Sequence, residues 1–140
     1  METRKKKEIM DIVKKAKTAF ISTVDANGFP CVRAMNSPRK VTEAFELWFS
    51  TNTSSKKVPE LSKNNKMCVY FYDKKWMYHG VTLLGTAEIC EDAESKKEIW
   101  QFGDAMYYKK GVTDPDYCVL KFKAEKIRYY HAFKHEEFEV

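Results

Sequence analysis

Much that would betray a function is missing from this chain. No apolar run approaches the roughly 18 residues that a membrane-crossing helix needs. Met1-Glu2-Thr3-Arg4-Lys5-Lys6-Lys7 opens the sequence with no signal-type apolar stretch behind it, and Glu2 stands where N-myristoylation needs glycine, so the expected setting is cytoplasmic with no membrane partner. The four cysteines, Cys31, Cys68, Cys90 and Cys118, form no Cys-x-x-Cys pair; each lies in an apolar run and reads as a small buried hydrophobe. Only five glycines punctuate the chain, with no P-loop, no Gly-x-Gly-x-x-Gly and no Gly-x-Ser-x-Gly elbow. Among three histidines, His131 and His135 have zinc spacing only if helical, yet the residues before them read as a strand, so no metal is expected. Glu136, Glu137 and Glu139 read as a solvated terminus, and no side chain is assigned a catalytic role.

The charge imbalance is mild, 25 basic against 20 acidic residues, for a net +5. Arg4 to Lys7 and Lys14-Lys15 flank Ile9, Ile12, Val13 and Ala16, whose spacing marks one buried helix face with a solvated face opposite. No base-reading motif accompanies these charges, so a nucleic-acid partner is not expected.

What is present is a β-rich pattern of 140 residues, 44% hydrophobic and 14% aromatic, enough for one domain over residues 1–140. A helix is expected over 5–17, then strands over 18–24 and 29–36 joined by Asp25-Ala26-Asn27-Gly28, where Asn27 and Gly28 tolerate positive φ. Further strands are expected over 45–51, 67–72, 76–89, 117–122 and 127–133, with Gly80 and Gly85 as sites for bulges or bends and a turn at Asp73-Lys74-Lys75. Ser54 or Ser55 is the expected cap of a short helix running to about residue 63, and Asp92 that of a helix over 93–108. Six or seven strands, mostly joined by short turns, with helices at the start, middle and later third, point to a mainly β fold, a closed antiparallel β-barrel with flanking helices rather than a doubly wound sheet.

One region has the chemistry of an anion site. Ser50-Thr51-Asn52-Thr53-Ser54-Ser55-Lys56-Lys57 runs from a strand into a helix start, joining hydroxyls, ammonium groups and unpaired backbone N–H groups. A capped helix with two surface lysines would look the same. Arg33, set in the otherwise apolar Phe29-Pro30-Cys31-Val32-Arg33-Ala34-Met35-Asn36, requires a partner if it is buried. A phosphate held by Lys56 and Lys57 is one candidate, and a salt-bridged or exposed strand arginine is the other.

Three segments in this order resemble the pyridoxamine 5′-phosphate oxidase-like, FMN-binding split-barrel family, in particular its short general-stress-protein type. They are Pro30-Cys31-Val32-Arg33-Ala34-Met35; Leu47-Trp48-Phe49-Ser50-Thr51-Asn52 with Ser55-Lys56-Lys57 and Asn64-Asn65-Lys66-Met67-Cys68-Val69; and Val81-Thr82-Leu83-Leu84-Gly85-Thr86-Ala87-Glu88. The resemblance, which covers about residues 18–130, implies a six-stranded antiparallel split β-barrel that binds FMN. Arg33 would reach the FMN phosphate. Ala34, Met35 and Asn36 would run along the isoalloxazine ring, with Ser50 and Thr51 bordering the flavin. Ser55, Lys56 and Lys57 would stand for the family's Ser-Arg-Lys clasp, with lysine replacing arginine at 56. It also implies a homodimer with FMN at the subunit interface, completed by partner residues near Gly80 to Thr82 or Trp100.

Two departures temper the match. The chain has no Arg-x-x-Pro-like segment after Phe133-Lys134-His135, so pyridoxamine phosphate oxidation is not expected, and Lys66 replaces the proline usual after the Asn-Asn pair. The resulting expectation is a flavin-dependent oxidoreductase using NAD(P)H or another small redox partner, with Trp76, Tyr78, Trp100 and Tyr107 as candidates beside the flavin's reactive face. The alternatives are a non-enzymatic flavin carrier or stress-linked sensor, or the same barrel holding a deazaflavin or haem.

Overall fold

The computed structural model describes residues 1–74 and 77–140; Lys75 of the expected turn and Trp76, the expected strand start, lie outside the described residues. Helix α1 (Thr3–Lys15) buries Ile9, Met10, Ile12 and Val13 and places Lys14 and Lys15 in its last turn, where cations suit the helix dipole. It lies over a sheet built from β1 (Thr18–Val24), β2 (Pro30–Asn36), β3 (Lys40–Val41), β4 (Glu46–Asn52), β5 (Lys66–Lys74), β6 (Tyr78–Cys90), β7 (Tyr117–His131) and β8 (Lys134–Glu139), with α2 (Lys57–Lys63) and α3 (Ala93–Ile99) between strands. Among the described residues, no helix is long and apolar enough to cross a membrane.

The pairing order is β2-β1-β5-β6-β7-β4-β3, with β8 also on β7, and the pairings are antiparallel. The two ends of this path, β2 and β3, do not pair with each other, so the barrel is split. Alternation turns one face inward: Ala19 and Ile21 of β1, Leu47 and Phe49 of β4, Val69 and Phe71 of β5, Val81 and Leu83 of β6, Leu120, Phe122, Ile127 and Tyr129 of β7 are each at most 1% exposed. Each large apolar side chain so buried contributes about 1.5–3 kcal/mol.

The architecture is the mainly β split barrel with flanking helices that the resemblance implies, not the closed barrel that the strand pattern suggests, because β2 and β3 stay unpaired with each other; it has eight strands among the described residues rather than six. The two expected strands over 117–122 and 127–133 are one, β7, because a bulge carries the pairing past the polar stretch: Leu84 faces Lys126 while Gly85 faces Ala124. The expected solvated tail is strand β8. It is reached through Ala132 (φ 47°) and Phe133 (φ 63°), a two-residue turn without the glycine or asparagine that usually announces one. Its glutamates answer cations: Glu137 meets Lys126 at 3.1 Å and Arg128 at 3.0 Å, and Glu136 meets Lys5 of α1 at 2.6 Å.

Other expectations shift for local reasons. No bulge forms at Gly80, where the register runs unbroken; the absent Cβ makes room for the Tyr70 ring instead. Only Gly28 uses positive φ in the first hairpin, since the Asp25 carboxylate accepts from the N–H of Asn27 and Phe29 and shapes the turn itself. Helix α3 ends at Ile99 rather than near 108, because Trp100 turns to pack on Tyr117 at 5.2 Å and Gly103 adopts φ 104°. Tyr108, Tyr117, Val119, Cys90 and Ile99 then make a second small core, which fastens this segment to β4 and β7.

Candidate functional site

The sheet alternation sorts the candidate residues onto two faces. Arg33 pairs with Ile21, and Met35 with Ala19, so these side chains share the inward face with Thr51, which is 5% exposed. Ala34 and Asn36 point outward and are exposed. Ser50 and Asn36 both line a cavity of about 300 Å³ with Ser37, Arg39, Asn52, Asp104, Tyr107 and Tyr108, at the split between the two sheet edges. A larger groove of about 460 Å³ on the outer barrel face holds none of the candidate residues.

On the inward side two cations are held close. Lys57, at the start of α2, is 8% exposed, and burial pushes its ammonium below the usual lysine range; the neighbouring Arg33 charge pushes the same way. No carboxylate among the described residues offsets this. Arg33 donates from Nη1 to Thr23 Oγ1 at 2.7 Å, and Thr23 in turn donates to Glu60 Oε2 at 2.6 Å; the direct Arg33–Glu60 separation is 3.8 Å. The strand arginine is thus tethered to an acid through a hydroxyl while most of its donors remain uncommitted. Thr23 and Glu60 escape a sequence reading, because a threonine in a strand and a glutamate in a short helix carry no signal of their own.

The expected helix cap is corrected. Neither Ser54 nor Ser55 caps α2, whose N-cap is Lys56 with no side-chain cap bond. Ser55 Oγ instead donates to the Asn52 carbonyl at 2.7 Å, and the Ser54 N–H donates to Asp116 at 2.9 Å. With seven residues, α2 has little dipole to offer, so side-chain charge is what remains for an anion. Lys56 is exposed beside it.

The cavity wall is set by a partly buried ion pair. Arg39 binds Asp104 through both terminal guanidinium nitrogens, donates to the Ile99 carbonyl at 3.1 Å, and holds the Asp104 carboxyl below its usual range. Tyr108, 6% exposed, donates to Asn52 Oδ1 and, at 3.3 Å, to the Thr51 carbonyl; burial raises its phenol. Of the aromatic residues expected beside a ligand, Tyr107 lines the cavity. Trp100 packs on Tyr108 and Tyr117, and Tyr78 stacks with Tyr72 on another face. His131 pairs with Glu136 at 2.7 Å and His135 packs on Tyr130, and among the described residues no cluster is placed to hold a metal.

Comparison with known proteins bears on the fold and the family. A family profile described as pyridoxamine 5′-phosphate oxidase matches residues 6–131. No curated protein sequence matches the chain. Among solved structures, a protein from Clostridium acetobutylicum related to general stress protein 26 of B. subtilis, of the pyridoxinephosphate oxidase family, is 37% identical; the match covers 100% of this chain and 97% of that one, with a TM-score of 0.89. General stress protein 26 from Bacillus anthracis str. Sterne is 25% identical over 99% of this chain and 100% of its own, with a TM-score of 0.78. A haem-binding protein from Mycobacterium smegmatis shares the fold at 15% identity, covering 99% of this chain and 59% of that one, with a TM-score of 0.77. The split barrel, the profile over nearly the whole chain and the 37% identical relative together place this protein in the pyridoxamine 5′-phosphate oxidase family.

Proposed function

We propose that this protein binds FMN and works as a flavin-dependent oxidoreductase other than a pyridoxamine phosphate oxidase, as a homodimer with the flavin at the subunit interface. The observation that carries the reading is the Arg33–Lys57 pair: two cations, one almost fully buried, with no acid directly neutralising Lys57 among the described residues. A phosphate monoester supplies the missing charge, and Ser55 and Lys56 stand at the same chain segment to add donors. Asn36 and Ser50 line the cavity at the sheet split, where they offer a flavin ring amide and hydroxyl groups.

When bound, FMN supplies the electron and hydride chemistry. The chain's own part is binding and orientation. Arg33 and Lys57 hold the phosphate, Tyr108 fixes the Asn52 side chain, and the Arg39–Asp104 pair keeps the cavity wall in place. NAD(P)H or another small redox partner would donate electrons. Exposed Val32 on the candidate hairpin and exposed Tyr72 and Tyr78 provide apolar surface for a second copy.

The experiment is calorimetric titration of FMN into the wild type and an Arg33→Ala, Lys57→Ala double variant, with sedimentation to count subunits. Each lost charge-assisted bond removes about 1.5–3 kcal/mol, so the double variant is expected to bind several kcal/mol more weakly. Unchanged affinity in a folded variant overturns the site. A haem-like absorption spectrum from purified protein would favour the other-ligand reading, although none of the three histidines lines the cavity. Bound flavin that no reductant bleaches would favour a carrier.

A further inference from the structure

Thr23 sits on the inward face of β1 and is 0% exposed. A hydroxyl there costs free energy unless both its proton and its lone pairs are used. Both are. A guanidinium can only donate, so the 2.7 Å contact from Arg33 Nη1 uses a lone pair of Thr23 Oγ1, and the hydroxyl proton goes to Glu60 Oε2 at 2.6 Å. The relay therefore has one sense, from arginine through threonine to carboxylate. Glu60 lies on α2 three residues after Lys57, so one short helix supplies both the second cation and the acid that reaches Arg33.

We infer that Thr23 and Glu60 are positioning residues that aim the Arg33 guanidinium at an anion it shares with Lys57. The inference rests on the phosphate-binding reading above and deepens it. A bidentate Arg33–Glu60 pair would consume the fork that a phosphate needs. At 3.8 Å, with the threonine hydroxyl between them, Glu60 orients the guanidinium and leaves Nη2 and Nε to donate elsewhere. Glu60 also places a negative charge beside Arg33, the cation that the buried Lys57 repels when no ligand is present.

The test separates the phosphate from the ring by titrating FMN and riboflavin, which differ only in that group. Thr23→Val keeps the side-chain volume and removes the relay. It is expected to weaken FMN about tenfold while leaving riboflavin unchanged, with Thr23→Ser restoring wild-type binding. In an Arg33→Ala background Thr23→Val should cost nothing further. Equal losses for FMN and riboflavin, or no loss, would overturn the inference.

A second readout needs no flavin. In the ligand-free wild type, the Arg33 Nε–H resonance is expected to be resolved and to shift on adding inorganic phosphate; in Thr23→Val it is expected to broaden and lose that response. If the wild type binds neither flavin yet this contrast holds, the flavin reading falls and the positioning role stands. If wild type and variant respond alike, the positioning role falls whichever ligand the protein takes.

Discussion

Gly85 faces the backbone of Lys123 so closely that a Cβ at position 85 would overlap the Lys123 carbonyl oxygen. The approach occurs at the β6–β7 bulge, where backbone rather than a movable side chain is in the way. Gly85→Ala is therefore expected to destabilise the fold by about 2–3 kcal/mol, seen as a lower urea midpoint with an unchanged m-value. Gly80→Ala is the contrast. The nearest atom there is the Tyr70 hydroxyl at 2.7 Å, the far end of a ring that can shift, so the expected cost is under about 1 kcal/mol. Equal costs would mean that the bulge is not what requires glycine.

Asp104 ties residues 100–106 to Arg39 at the cavity wall. Asp104→Asn is expected to cost about 2 kcal/mol, less than for a fully buried pair because the Arg39 side chain remains 22% exposed. The pH dependence has a definite sign. The Arg39 bond holds the folded carboxyl below its usual value, so its stabilisation is complete above the ordinary aspartate range near 4 and is lost as pH falls through the folded value. The stability gap between wild type and Asp104→Asn should therefore narrow as pH falls below about 4, measured by thermal melts; a constant gap would refute the assignment.

Lys57 trades stability for binding. Its ammonium is depressed by burial and by Arg33, so at neutral pH it opposes folding, and this penalty fades as pH rises from the folded value toward the ordinary lysine range near 10.4. Lys57→Met is expected to stabilise the ligand-free protein by about 1 kcal/mol and to abolish any stabilisation by added FMN. A variant that is less stable without ligand would show that the ammonium has a partner in the fold.

The thiols divide by environment. Burial pushes Cys118 up to about 11 and Cys90 up to about 12; desolvation raises Cys31 and Cys68 as well, but these two are only half-buried and so accessible. A thiol reagent at pH 8 is expected to modify Cys31 and Cys68 in the folded protein and to reach Cys90 and Cys118 only on unfolding. Mass spectrometry of the labelled peptides would decide it, and early labelling of Cys118 would contradict the packing of β7.

The sequence carried the strands well, because alternation and turn residues are local signals. Ala19, Ile21 and the Asp25 to Gly28 turn were readable for that reason. Strand β8 was hidden because its turn is made by Ala132 and Phe133, which announce nothing, and because its glutamates look like a solvated tail until Lys126 and Arg128 are seen opposite them. The site's supporting residues were hidden for a related reason. Arg33 meets Glu60 through Thr23, and Arg39 meets Asp104 across 65 positions, relationships that only folding creates. The division of Arg33 and Asn36 onto opposite faces followed from alternation and could have been stated from the strand alone.

Strand β7 spans Tyr117–His131 and pairs with β4, β6 and β8. The path of paired strands from β2 to β4 runs through it, so the strand bearing Arg33 and the strand bearing Ser50 and Thr51 join one sheet only once β7 is in place. The nine residues expected to bind the cofactor through phosphate or ring fall between positions 33 and 57, yet a ribosome that has completed them has not made a site. More than half of the chain must follow before the two halves of the cleft meet, so a prematurely terminated product would hold all nine and still be unable to assemble the cleft.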